Sequence, residues 1–234
     1  MKTRQEYKQI SKDSLVGQYW NYVVLALIYF AISYAIGGLI ALLERQEAFT
    51  ALGTLLAIVV DSALGYGLIT YALKFVKKEN PVYGDLFEAF NDNKLGKVLG
   101  TSLLVKLFTF LWSLLLIVPG IIKGLGWSMT IYILRENPDR TPRECMAMSE
   151  EMMMGHKWEF FLLNLSFIGW ILLAALTAGV GLVFLYPWLL TTITNYYEDL
   201  KKEYNSKHTN VEVKVEDAPK QEEQKPENKE EENK

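Results

Sequence analysis

The sequence predicts an all-α fold: a polytopic membrane helix bundle of six transmembrane helices. They are arranged as three hairpins, each preceded by a cytoplasmic interfacial amphipathic helix. Three observations predict it. Apolar runs of membrane-spanning length recur through the first 200 residues. An amphipathic lead-in repeats, since Ser11-x5-Gly17-x2-Trp20 and Ser149-x5-Gly155-x2-Trp158 share one spacing and each opens an apolar run. Glu79-Asn80-Pro81 and Glu136-Asn137-Pro138 form a second echo, each between two apolar helices. Repeats of this kind show how a chain is assembled.

Each span follows from length and charge. A helix rising 1.5 Å per residue needs about 20 apolar residues to cross roughly 30 Å of hydrocarbon. Residues 20–43 satisfy this, as do 49–75 with Asp61 inside and 98–118 with Lys106 inside. Residues 121–134 are shorter and carry Lys123. The long apolar run after Phe160 divides at Gly179-Val180-Gly181 into spans 160–177 and 182–198, the second interrupted by Pro187.

Basic residues test the count independently, because they concentrate in short cytoplasmic loops. Lys2, Arg4, Lys8 and Lys12 precede the first span; Lys74, Lys77, Lys78, Lys94 and Lys97 lie between the second and third. Arg135, Arg140, Arg143 and Lys157 lie between the fourth and fifth, and Lys201 and Lys202 follow the sixth. The alternate loops hold only Arg45 and Lys123. Six spans with both termini cytoplasmic satisfy every loop, in a multi-pass protein of a cell membrane.

The cytoplasmic segments carry helix signals. Thr141-Pro142-Arg143-Glu144 is a capping box with proline at the first helical position, predicting a helix to about Met154 that stops at Gly155. Asn80-Pro81 opens a short helix carrying Leu86, Phe87 and Phe90, and residues 3–16 form the third. Their apolar faces suit the headgroup region or the underside of the bundle, with Trp20 and Trp158 at the interface.

Composition divides the chain. Mean hydropathy is +0.10 and formal net charge −3, but both average an apolar body with a polar tail. Residues 1–200 read as the integral membrane domain. Residues 201–234 read as a disordered charged cytoplasmic tail, too polar to bury what ordering would require. The single cysteine, Cys145, excludes an intrachain disulfide. The polar N-terminus lacks the form of a cleaved signal, so the first helix is expected to act as its own insertion signal.

Few residues carry chemistry. Asp61 lies about twelve residues into an inward span and Lys106 about eight into the next outward one, so both fall near mid-depth. A lone charge there costs roughly 2.5–3.5 kcal/mol on insertion scales, and such residues pair or line a cavity. Asp61 and Lys106 are therefore a candidate intramembrane polar pair, read as a structural ion pair or part of a transport path, with inward snorkelling of Lys106 as the alternative to pairing. Pro119, Gly120, Lys123 and Gly124 form a candidate helix-contact turn into the fourth span. There Gly120-x3-Gly124 permits close helix approach and Lys123 reaches the outer headgroups.

Met146, Met148, Met152, Met153 and Met154, near Cys145 and His156, offer soft sulfur ligands, but adaptable packing is the simpler reading. No metal site, cofactor or catalytic constellation is predicted: the chain has no H-E-x-x-H, no phosphate-binding G-x4-G-K-[ST] and no paired cysteines. The basic residues hug span ends without aromatic interleaving, which excludes nucleic acid. The partners implied are the lipid bilayer and another membrane protein.

Several strings then fall in a recognisable order: Val118-Pro119-Gly120-Ile121-Ile122-Lys123, Tyr132-Ile133-Leu134-x-Glu136-Asn137-Pro138, residues 152–157, Leu165-Ser166-Phe167-Ile168-Gly169-Trp170 and Tyr197-x-Asp199-Leu200. Over about residues 5–200 the chain resembles a bacterial family of multi-pass membrane proteins, domain-of-unknown-function family 975. The resemblance implies a Gram-positive cytoplasmic membrane and brings no established activity. Asp61 stands outside these strings. The expectation is a non-enzymatic scaffold, assembly or regulatory factor of the bacterial cell envelope. The alternative is a small transporter or permease component with Asp61 and Lys106 in its path.

Overall fold

Hydrophobic runs of this length satisfy their backbone polar groups internally only as helices, and every regular element among the residues that the computed structural model describes, 1–43, 47–91 and 94–216, is a helix. Arg45 and residues 217–234 lie outside them. Among the described residues the helices in chain order are α1 (Arg4–Leu15), α2 (Tyr19–Leu43), α3 (Glu47–Lys77), a 3-10 helix (Tyr83–Phe90) and α4 (Lys94–Leu115). They continue as α5 (Ile117–Gly126), α6 (Thr130–Glu136), α7 (Pro142–Met152), α8 (Lys157–Leu165), α9 (Ile168–Ala175) and α10 (Val180–Glu216).

Among the described residues five stretches are long and apolar enough to cross a membrane: Tyr19–Leu42, Ala51–Lys77, Lys94–Leu115, Ile117–Glu136 and Lys157–Ala175. The last two are broken, at Trp127–Met129 between α5 and α6 and at Ser166–Phe167 between α8 and α9. Residues 182–198 lie in α10, where Tyr186, Pro187 and Trp188, then Thr191, Thr192, Thr194 and Asn195, dilute the apolar character. α10 also runs on through residues 201–216, so that part of the expected tail is helix.

Helices adjacent in the chain pack on each other: α2 on α3, α4 on α5, and α9 on α10. The core is concentrated at one end of these pairs. There Tyr7, Tyr22, Leu64, Leu68, Leu86, Met129, Ile133, Phe167, Tyr196 and Tyr197 are fully buried. The opposite ends, around Leu52, Leu114–Ile117 and Leu176, are exposed. Apolar side chains in hydrocarbon have no hydrophobic drive to meet one another, so contact there rests on van der Waals packing and hydrogen bonds.

The polar elements at the core end are α1, the 3-10 helix and α7. Each packs beside another helix: α1 beside α10, the 3-10 helix beside α3, and α7 beside the short α6. Tyr7, Ser11 and Leu15 of α1, Asp85, Leu86 and Ala89 of the 3-10 helix, and Cys145, Met146, Ser149 and Met152 of α7 are buried. The amphipathic segments thus belong to the bundle's interior at that end.

The sequence repeat is a repeat of local structure. Thr3 and Glu6 form a capping box at α1, and Thr141 and Glu144 form its counterpart at α7. Ser11 and Ser149 are fully buried, Gly17 and Gly155 adopt φ of 84° and 83°, and Trp20 and Trp158 stand 69% and 67% exposed. A left-handed residue ends a helix at low strain only when it is glycine. The middle unit keeps one part of this pattern: the Val82 N–H donates to Asp85 Oδ2 at 2.9 Å, as the Thr3 N–H does to Glu6 and the Thr141 N–H to Glu144. Its helix is 3-10, following a reversal in which Lys78 and Asn80 have positive φ.

Candidate functional site

Asp61 on α3 and Lys106 on α4 meet, with Lys106 Nζ 3.1 Å from Asp61 Oδ2. Tyr29 of α2 donates its hydroxyl to Asp61 Oδ1 at 3.0 Å. One carboxylate therefore joins three apolar helices through two donors. Both charged side chains are 53% exposed. The pair lies on the surface of the bundle, beside the exposed Leu103, Leu107, Leu55 and Ile58. The charges offset one another, but the surrounding bundle does not enclose them.

The predicted helix-contact turn is displaced. α4 ends at Leu115, Leu116 is extended (φ −156°, ψ 135°), and α5 begins at Ile117. Pro119, Gly120, Lys123 and Gly124 therefore lie inside α5. Pro119 is its third residue, where a missing N–H removes no helical bond. A Cβ on Gly120 would stand 2.6 Å from the Ser113 Cα, and one on Gly124 3.2 Å from Thr109 Cγ2. The small residues let α5 lie against α4 after the reversal; they do not make it.

Lys123 is also elsewhere than expected. Its Nζ lies 2.6 Å from Glu150 Oε1 on α7, between the rings of Trp112 and Trp127, and Lys157 stands 3.8 Å from the same carboxylate oxygen. The hydrogen bond from Lys123 holds the Glu150 carboxyl below the ordinary glutamate range.

A larger ionic cluster closes the core end. Glu136 receives Lys77 of α3, Lys201 of α10 at 2.6 Å and the Tyr197 hydroxyl at 2.6 Å. Arg135 contacts Glu88 at 3.3 Å and donates to Thr70 Oγ1 at 2.9 Å, while Lys74 pairs with Asp85 at 2.6 Å. Lys2 pairs with Asp199, which also accepts from the Tyr7 hydroxyl at 3.2 Å. Charges from the segment before α1 and from α3, the 3-10 helix, α6 and α10 thus join the first unit to the last. The sequence reading did not single out this cluster. Its available signal was Glu136 in the repeated Glu-Asn-Pro string.

The two buried serines perform the same local work at different joints. Ser149 Oγ donates to the Gly126 carbonyl at 2.7 Å and accepts from the Met129 N–H at 3.1 Å, bridging the break between α5 and α6. Ser11 Oγ donates to the Tyr7 carbonyl and accepts from Asn195 Nδ2 at 3.1 Å, fastening α1 to α10. Cys145, Met152 and Met153 pack in the core, and burial pushes the Cys145 thiol up. His156 Nε2 lies 3.1 Å from Glu203 and His208 Nε2 3.3 Å from Glu151. Among the described residues no three His, Cys, Asp or Glu side chains gather in a way that would hold a metal ion.

Fold and site define a class: an all-α protein whose apolar helices fit a membrane and whose polar contacts fasten one end of the bundle. The chain belongs to the family described as "Protein of unknown function (DUF975)", which matches residues 1–125 and residues 114–204. No curated protein and no solved structure matches it significantly.

Proposed function

We propose that the protein is a non-enzymatic scaffold, assembly or regulatory factor of the bacterial cell envelope, acting by lateral contact with another membrane protein. Six spans in three hairpins, with both termini in the cytoplasm of a multi-pass cell-membrane protein, form the frame of this reading. The basic loops and the three inward-folded amphipathic segments support that orientation. The observation that carries the role is the Asp61–Lys106 pair, half-exposed on the surface of two apolar helices. At mid-span such a pair meets lipid, which penalises it, or a partner that covers it.

A transporter or permease component is the second reading, favoured by the meeting of Tyr29, Asp61 and Lys106 from three helices. Site-specific photo-crosslinking in native membranes separates the two. A crosslinker at Leu107 should give one stoichiometric protein adduct that disappears in Asp61→Leu/Lys106→Leu. A crosslinker at the exposed Leu172 of α9 should not give it. Lipid adducts alone at Leu107 would refute the scaffold reading, and solute flux altered by the same substitutions would favour transport.

A further inference from the structure

A groove of about 600 Å³ runs between the α1–α2 junction and the α9–α10 pair, within the roughly 300–1,000 Å³ of small-molecule sites. Its walls include Leu15, Trp170, Leu173, Phe184 and Trp188, and Lys12 stands at one end. From Trp188 to Gly181 it follows α10 for about 10 Å. Three polar side chains of its walls are engaged within the protein. The Tyr19 hydroxyl donates to the Phe184 carbonyl at 2.8 Å, Trp188 Nε1 to the Lys8 carbonyl at 3.1 Å, and the Thr177 hydroxyl to the Ala174 carbonyl at 2.6 Å. What a ligand meets inside the groove is mostly hydrocarbon.

The end is the reverse. Lys12 Nζ lies 4.5 Å from the Trp188 ring and has no ion pair or hydrogen bond among the described residues. Lys8 Nζ lies 4.2 Å from the Phe167 ring and donates to the Ser166 carbonyl at 2.9 Å, leaving further N–H donors free. Arg4 continues the row one turn earlier. Asp13, next to Lys12 in the chain, accepts instead from Gln9 at 2.7 Å. Burial and the charges of Lys12 and Arg4 lower the Lys8 pKa, as at a cationic site without its anion.

We propose that this groove binds an anionic phospholipid, with the phosphate on Lys8 and Lys12 and one acyl chain along Leu173 and Phe184. The charge complementarity is one-sided: Arg4, Lys8 and Lys12 form no ion pair among the described residues, and unpaired cations at one end of an apolar slot fit an acidic amphiphile better than a zwitterionic one. The proposal rests on membrane placement and is independent of the scaffold reading.

Native mass spectrometry of the full chain in detergent, titrated with dioleoyl phosphatidylglycerol and dioleoyl phosphatidylcholine, tests it. One phosphatidylglycerol per chain should bind more tightly than phosphatidylcholine. Lys8→Gln/Lys12→Gln should weaken phosphatidylglycerol about 25-fold, roughly fivefold per lysine, and leave phosphatidylcholine unchanged. Lys207→Gln, on the distant end of α10, should change neither. Leu173→Trp fills the slot and should weaken phosphatidylglycerol with the lysines intact, which keeps the test decisive if the lysine variant does not fold. Equal binding of the two lipids, or phosphatidylglycerol affinity unmoved by either variant, overturns the proposal. Displacement of phosphatidylglycerol by millimolar inorganic phosphate overturns it too, since the headgroup alone would then account for binding.

Discussion

Gly67 and Gly65, two residues apart on α3, should respond oppositely to the same methyl group. A Cβ built on Gly67 would stand 2.6 Å from the Leu86 Cα, with the Leu86 carbonyl closer still. The obstacle is main chain, so no rotamer change relieves it; with the Leu86 carbonyl oxygen at 1.9 Å, the 3-10 helix must retreat by about 1.5 Å to reach an ordinary 3.4–4 Å contact. That retreat strains the fully buried Leu86 and the Lys74–Asp85 and Arg135–Glu88 pairs. Overpacking of this kind costs about 1–3 kcal/mol. A Cβ on Gly65 meets nothing within 4 Å. Both substitutions gain the same helix propensity, up to about 1 kcal/mol, so that gain cancels between them. Gly67→Ala should therefore be about 1–3 kcal/mol less stable than Gly65→Ala in reversible unfolding in mixed detergent micelles. Equal unfolding free energies would refute the claim that the 3-10 helix is seated on α3 through a bare backbone.

Three further outcomes follow from the contacts. Ser149→Ala should cost about 1–3 kcal/mol, because it strands the buried Met129 N–H. Ser11→Ala should cost less in the same unfolding assay, because Asn195 keeps its bond to the Thr191 carbonyl. The depressed Glu150 pKa contributes stability above the ordinary glutamate value near 4.5, and that stability is lost as pH falls through the lower folded value. The unfolding midpoint should fall over that acid window, and Lys123→Met should flatten the fall; an unchanged slope would exclude the pair. Cys145, buried and with its thiol pKa raised, should react with a maleimide only after unfolding. Rapid labelling of the folded protein would show that α7 leaves the bundle.

Much of this architecture was legible in local strings. The capping box at Thr141, the stop at Gly155 and the lengths of the apolar runs depend on residues within a few turns of each other, and the helices follow them closely. Charge depth along a span is also local arithmetic, so the sequence could place Asp61 and Lys106 at one level. It could not place their exposure, which depends on which faces neighbouring helices cover. Pro119 misled for an opposite reason: proline signals a boundary, but it fits the first turn of a helix as readily as the residues before it.

The sequence by itself determined a helical chain with apolar runs of membrane length and repeated amphipathic entries. Hydrophobic period, capping residues and backbone hydrogen bonding act over short separations. Only the tertiary structure decided that α1 lies along α10, that a 3-10 backbone rests on Gly67, and that Glu136 gathers Lys77, Lys201 and Tyr197. Those arrangements join residues up to 197 positions apart, as in the Lys2–Asp199 pair. Their geometry is set by which helices can approach closely once every buried polar group must find a partner.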